Sequence, residues 1–204
     1  MIKGSAELRK YTTIYPKSVY TINSIDDYKA YGHKLLKQSS NTKLGKVVAK
    51  GKFVKKPLYS LSLVEREMGC PKSCHHWHSC YGNNMPFAHR FKTDKALYFT
   101  AILRDEIYNL TKKHKFGIHI RLHVLGDFFS KEYVNFWYLI LKLYPKVSIY
   151  GYTAHKPTSE LGKRLKNVRL NPTICPEQED KVANCVSCGL CWNSNAKQIL
   201  FKTH

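Results

Sequence analysis

The chain has 204 residues, 43% of them hydrophobic, and sets 34 Lys and Arg against 14 Asp and Glu for a formal charge of +20. That composition fills one core and excludes a disordered polyelectrolyte. No apolar run reaches the roughly 18 residues of a membrane span, and MIKGSAELRKYTT has no secretory h-region, so the expectation is a cytoplasmic protein with no membrane partner, in host cytoplasm if phage-encoded.

Residues 1–56 read as a basic N-terminal extension packed on the core, and 57–204 as an α/β metal-binding catalytic domain. A helix opens at Ser24, where Ser-Ile-Asp-Asp supplies an N-cap and first-turn acids ahead of Tyr28, Tyr31, Leu35 and Leu36. SSNTKLGKVVAKGKFVKK then reads as a basic surface loop or hairpin. LYSLSL (58–63) is a strand, followed by a cysteine loop and a helix over 93–115 capped at Thr93 or Asp94. GIHIRLHVLGDF is a strand, SKEYVNFWYLILKLYP a helix capped by Ser130, VSIYGYTAH a strand, TSELGKRLKN a helix, VRLNPTI a strand, and QILFKTH a closing one. Strands alternating with helices predict βα units: a partial (βα) barrel or an open, mostly parallel sheet, with a cysteine-rich C-terminal metal-binding segment.

The second strand is two-faced. Ile118, Ile120, Leu122 and Val124 alternate with His119, Arg121, His123, Leu125 and Asp127, which places helices on one face and a polar hollow on the other. Ligands in such sheets sit beyond the carboxyl ends of the strands. The first cysteine loop, Gly126-Asp127, Thr153-Ala154-His155 and the second cysteine cluster all follow strand ends, so parallel strands bring them to one rim.

All seven cysteines fall in two clusters, and in a reducing compartment clustering points to metal rather than disulfides. Cys70, Cys74 and Cys80 suit a [4Fe-4S] cluster with one open iron; zinc would instead recruit His75, His76 or His78. Cys175, Cys185, Cys188 and Cys191 supply four thiolates for structural zinc or a second iron-sulfur cluster, with His204 a spare ligand. Asp127 is the candidate working carboxylate, with His123, Arg121 and His155 as further catalytic candidates. An N-cap role for Asp127 is the plain alternative. In NNMPFAHRF, the residues Asn83, Asn84, His89 and Arg90 are candidates to orient a phosphate or base edge of a cofactor or substrate.

A three-cysteine loop directly after the first strand of a partial βα barrel resembles the radical S-adenosylmethionine enzymes. SCYGNNMPFAHRF, RLHVLGDF and CGLCW resemble more closely a group of short cysteine-rich phage proteins. The resemblance implies an iron-sulfur cluster and S-adenosylmethionine as cofactor. The loop departs from the radical pattern: its last spacer is longer, Tyr81 follows rather than precedes the last cysteine, and no Gly-Gly-Glu stretch comes after it.

The leading expectation is an iron-sulfur metalloenzyme acting on a nucleic acid or nucleobase-derived substrate, because so large a positive excess calls for an anionic partner. The first alternative is a zinc enzyme of DNA base modification, of the 7-deazaguanine exchange type, working through Asp127. The second is a zinc-stapled nucleic-acid-binding module with no catalysis.

Overall fold

The computed structural model describes residues 13–38, 45–49, 53–74, 76–165 and 168. Outside those residues lie the closing strand expected at QILFKTH, His204, His75, all four cysteines of the second cluster, and, Val168 apart, the strand expected at VRLNPTI.

The elements run β1 (Val19–Thr21), α1 (Ile25–Tyr31), β2 (Lys37–Gln38), β3 (Leu58–Leu61), β4 (Arg90–Lys92), α2 (Ala96–Lys113), β5 (Ile118–Leu122), α3 (Lys131–Leu143), β6 (Val147–Gly151) and α4 (Glu160–Leu165). Local chemistry accounts for their ends. Ser24 Oγ accepts the Asp27 amide at 3.1 Å to open α1, and Gly32, at φ 71°, closes it in the left-handed region. Ser130 opens α3 in the same way, accepting from the Tyr133 amide at 3.1 Å. Helix α2 starts later than the sequence predicts, after Lys95. Thr93 and Asp94 are committed elsewhere: the Thr93 hydroxyl accepts the Lys95 amide, and the Asp94 amide donates to Asn23.

Among the described residues two open sheets form, not a closed barrel. The larger has the order β2-β3-β5-β6, with β3, β5 and β6 mutually parallel and β2 antiparallel on the edge. The smaller pairs β1 with β4 in parallel, and a single bridge from Phe91 to Leu63 carries it alongside the end of β3. This small sheet was not predicted, because three-residue strands leave no periodicity to read.

Register sorts the faces. Tyr59, Leu61, Ile118, Ile120, Leu122 and Val147 enter one core with Phe99, Leu103 and Ile107 of α2 and Tyr133, Val134, Trp137 and Ile140 of α3. Those helical positions recur at three- and four-residue steps, the stripe that buries a helix on a sheet. On the other face Ser60, Arg121 and Tyr150 stand in line, as do Leu58, His119 and Ser148. The lower part of that polar face is filled rather than hollow. His119 is sandwiched between Tyr150 (4.9 Å, 16°) and Phe53 (4.9 Å, 29°), and its Nδ1 lies 2.8 Å from Ser148 Oγ.

His123 leaves the alternation. β5 ends at Leu122, and the next residue turns into the helical layer, where its Nε2 meets the Tyr133 hydroxyl at 2.9 Å and its ring stacks on Tyr133. The expectation that it lines the polar hollow is therefore corrected: past the strand end the two-residue period no longer applies. Among the described residues no helix is long and apolar enough to cross a membrane.

Candidate functional site

Three strand ends meet at one rim. The carbonyl of Gly69, after β3, and that of Phe128, after β5, both lie within hydrogen-bond range of His155 Nε2, at 3.1 and 2.9 Å; His155 follows β6. Two acceptors at one nitrogen put the ring proton on Nε2. The approach is close enough that a Cβ on Gly69 would run into the backbone of Asp127. Gly126 sits at φ +77°, where a Cβ would lie 2.7 Å from that of Leu63, so only glycine fits that turn.

Asp127 is the centre of this knot. It is 3% exposed; Oδ1 accepts the Phe128 amide at 2.7 Å, and Oδ2 accepts the Ala154 amide at 2.7 Å and the Thr153 hydroxyl at 3.2 Å. Burial pushes its pKa up to about 6, opposed by the nearby His155 and those hydrogen bonds. With both oxygens engaged, Asp127 ties the β5 end to the β6 end. It is no helix cap, because Ser130 fills that position. His155, bridging the carbonyls of Gly69 and Phe128, braces the same rim.

The first cysteine loop is held from below by residues that sequence reading missed. Arg66, in the left-handed region at φ 69° and 2% exposed, donates from Nε to the Trp77 carbonyl at 2.7 Å and from Nη2 to Asn83 Oδ1 at 2.8 Å. Asn83 Nδ2 donates on to the His78 carbonyl at 3.1 Å, and Tyr15 caps the Asn83 carbonyl at 2.6 Å. Beneath lies a fully buried ion pair, Arg90 Nε to Glu65 Oε2 at 2.8 Å. Arg90 also donates to Gly82 O (3.0 Å), Ala88 O (2.7 Å) and Ser18 Oγ (3.0 Å). Its donors are spent inside the protein, so Arg90 frames the loop; the expectation that it reads a phosphate is corrected. Asn83 is a brace for the same reason. Asn84 is exposed on the short turn Tyr81–Asn84, and His89 sits in a cluster of aromatic rings with Tyr20 and Tyr31. The missed residues carry a faint signal: Glu-Arg-Glu, three charges straight after an apolar strand, is where a buried Arg or Glu needs partners.

Cys70, Cys74 and Cys80 are half-buried free thiols. Burial raises all three pKa values, that of Cys70 to about 12. Working against burial, the backbone near each sulfur, at Arg66, His76 and Gly82, favours the thiolates of Cys70, Cys74 and Cys80. The charges of Asp127, Cys74 and Cys80 raise the Cys70 thiol further, and the Arg66 cation favours the thiolates of Cys74 and Cys80. Among the described residues no three His, Cys, Asp or Glu side chains already stand as a metal cage. Tyr81, 51% exposed, follows directly on Cys80 and opens the short turn Tyr81–Asn84, and the charge of Arg121 on the polar sheet face favours its phenolate. Arg121 is thus the candidate on the sheet that acts on the cysteine loop, together with Tyr81, which was not singled out for a role. Glu65 Oε1, buried, has no hydrogen-bond partner among the described residues.

No curated protein and no solved structure matches the chain. A family model described as Gene product 88 matches residues 34–175, which takes in the larger sheet, the cysteine loop and the Asp127 knot. With more than half of its length under that model, this phage-type chain belongs to the Gene product 88 family.

Proposed function

We propose that the chain is a metalloenzyme that holds an iron-sulfur cluster on Cys70, Cys74 and Cys80 and acts on a nucleic acid or nucleobase-derived substrate, with a radical-SAM-like placement of the cluster. One observation carries the reading: three half-buried, free cysteines stand together in the chain segment that follows the parallel strand β3, beside the rim where β5 and β6 end. A metal takes these sulfurs as thiolates, so binding releases the protons that burial holds on them.

Three cysteines in one loop are the donor chemistry the group takes. Three thiolates from one loop would hold a [4Fe-4S] cluster, which supplies redox chemistry at an iron left open to a further ligand such as S-adenosylmethionine. This chain's own residues do the rest. Arg66 and Asn83 hold the loop, Asp127 and His155 lock the rim, Tyr81 offers an aromatic face, and Arg121 a cation for an anionic substrate group. Zinc on the same thiols is the second reading; His76 and His78 in the same loop favour it as donors to close the set.

Protein purified without oxygen tests both. Iron with acid-labile sulfide and a visible absorption band, lost in Cys70→Ala and in Cys80→Ala, supports the first reading. Zinc alone, lost in the same variants, supports the second. A protein that binds neither metal refutes both. A shift in the cluster's electron paramagnetic resonance spectrum on adding S-adenosylmethionine is the expected sign of that cofactor.

A further inference from the structure

At the corner where β1, α1, β2 and β4 meet, four rings crowd together. Tyr20 lies 4.6 Å from Tyr31 and stacks on His89 at 4.9 Å and 27°; Tyr31 is 5.5 Å from His33, and His33 is 6.3 Å from His89. Lys37 Nζ sits 5.3 Å above the Tyr31 ring and 3.1 Å from His89 Nδ1, and Lys34 Nζ lies 5.6 Å above the Tyr28 ring. A depression of about 370 Å³ opens beside them, lined by Tyr28, Lys29, Gly32, His33 and Lys34.

His89 Nδ1 lies 2.8 Å from the Tyr31 hydroxyl and 3.1 Å from Lys37 Nζ, which holds the ring against both side chains. The acids nearby do not cancel the charge. Glu106 is occupied beneath, accepting the amides of Leu35 (2.8 Å) and Leu36 (2.9 Å), and Asp26 meets Lys29 only in an exposed pair at 3.7 Å. Exposed Lys29, His33 and Lys34, backed by the half-buried rings of Tyr20, Tyr31 and His89, match a ligand that alternates phosphates with flat bases. Paired bases in a duplex keep their faces stacked away from such rings, while unpaired ones present them.

We infer that the Tyr20–Tyr31–His33–His89 corner, with Lys29, Lys34 and Lys37, is a binding surface for single-stranded nucleic acid. It extends the nucleic-acid part of the function proposed above and is independent of the metal. Bases stack on the rings, phosphates meet the lysines, and the corner holds the strand while the cysteine rim lies elsewhere on the same domain.

The test is fluorescence anisotropy of labelled dT and rU strands of about 12 nucleotides, and of a duplex, titrated with full-length protein over about 50 to 300 mM salt. Lys29→Ala with Lys34→Ala is expected to weaken single-strand binding about 10-fold and to reduce the salt slope by about 1.4, two phosphate contacts' worth. His33→Ala is expected to weaken it by about 10-fold through lost stacking. Lys112→Ala with Lys142→Ala removes the same charge, and the same kind of lysine-over-tyrosine contact, from the ends of α2 and α3; binding within 2-fold of the parent is expected. The inference is overturned by an equal loss in that control pair, by tighter binding to duplex, or by no binding of the parent protein. Thermal melting and metal content, unchanged across the set, separate these outcomes from misfolding and from any failure of the metal assignment. A metal-free protein that still binds the strands keeps this inference while refuting the other.

Discussion

His123 gives the fold a defined acid sensitivity. It is 5% exposed, it contacts the Tyr133 hydroxyl, and burial pushes its pKa down to about 3 from an ordinary 6.5. The unfolded chain therefore binds a proton on this residue that the folded chain refuses, and stability falls as pH drops from 6.5 towards 3. The slope is about 1.4 kcal/mol per pH unit, so going from pH 7 to pH 5 removes about 2 kcal/mol. Asp127 runs the other way: its pKa is raised from 3.8 to about 6, so its contribution falls as pH rises through that window. The two slopes oppose each other between pH 4 and 6, and the parent curve alone hides both. The informative quantity is the difference between the parent and His123→Gln, whose amide still reaches the Tyr133 hydroxyl but does not titrate. Urea unfolding at pH 7 and pH 5 is expected to move that difference by about 2 kcal/mol in favour of the variant, about 4 to 8 °C in melting temperature. A difference that stays constant with pH would show that His123 takes up its proton in the folded state, and the placement in the helical layer would be wrong.

Other substitutions probe the frame of the rim. Arg90→Leu leaves Glu65 charged and buried and is expected to cost about 3 to 5 kcal/mol, while adding Glu65→Met recovers part of the loss; chemical denaturation checks both. Gly126→Ala forces a side chain into the left-handed region against Leu63 and should cost about 2 kcal/mol or more in the same assay. Asp127→Asn cannot accept on both terminal atoms, so the Phe128 or the Ala154 amide loses its partner; about 1 to 3 kcal/mol is expected, and with the Asp127 slope gone the variant's stability should rise by about 2 kcal/mol from pH 4 to pH 6.

Local signals alone determined much of this protein. Capping serines at 24 and 130 and the three- and four-residue recurrence of apolar residues in α2 and α3 are chemistry within one or two turns of chain, so they were legible. The βα alternation likewise announced parallel strands, and with them the meeting of the cysteine loop, Asp127 and His155 at one rim. What each side chain does there was decided only in three dimensions. A buried carboxylate is a base or a staple according to how many donors surround it, and the donors to Asp127 come from the next residue and from two residues beyond β6. Arg90 became a frame because Glu65, Gly82, Ala88 and Ser18 converge on it, and His123 joined the core because the strand stopped one residue earlier. Hydrogen-bond satisfaction is a sum over neighbours in space, and adjacency in sequence carries only part of it.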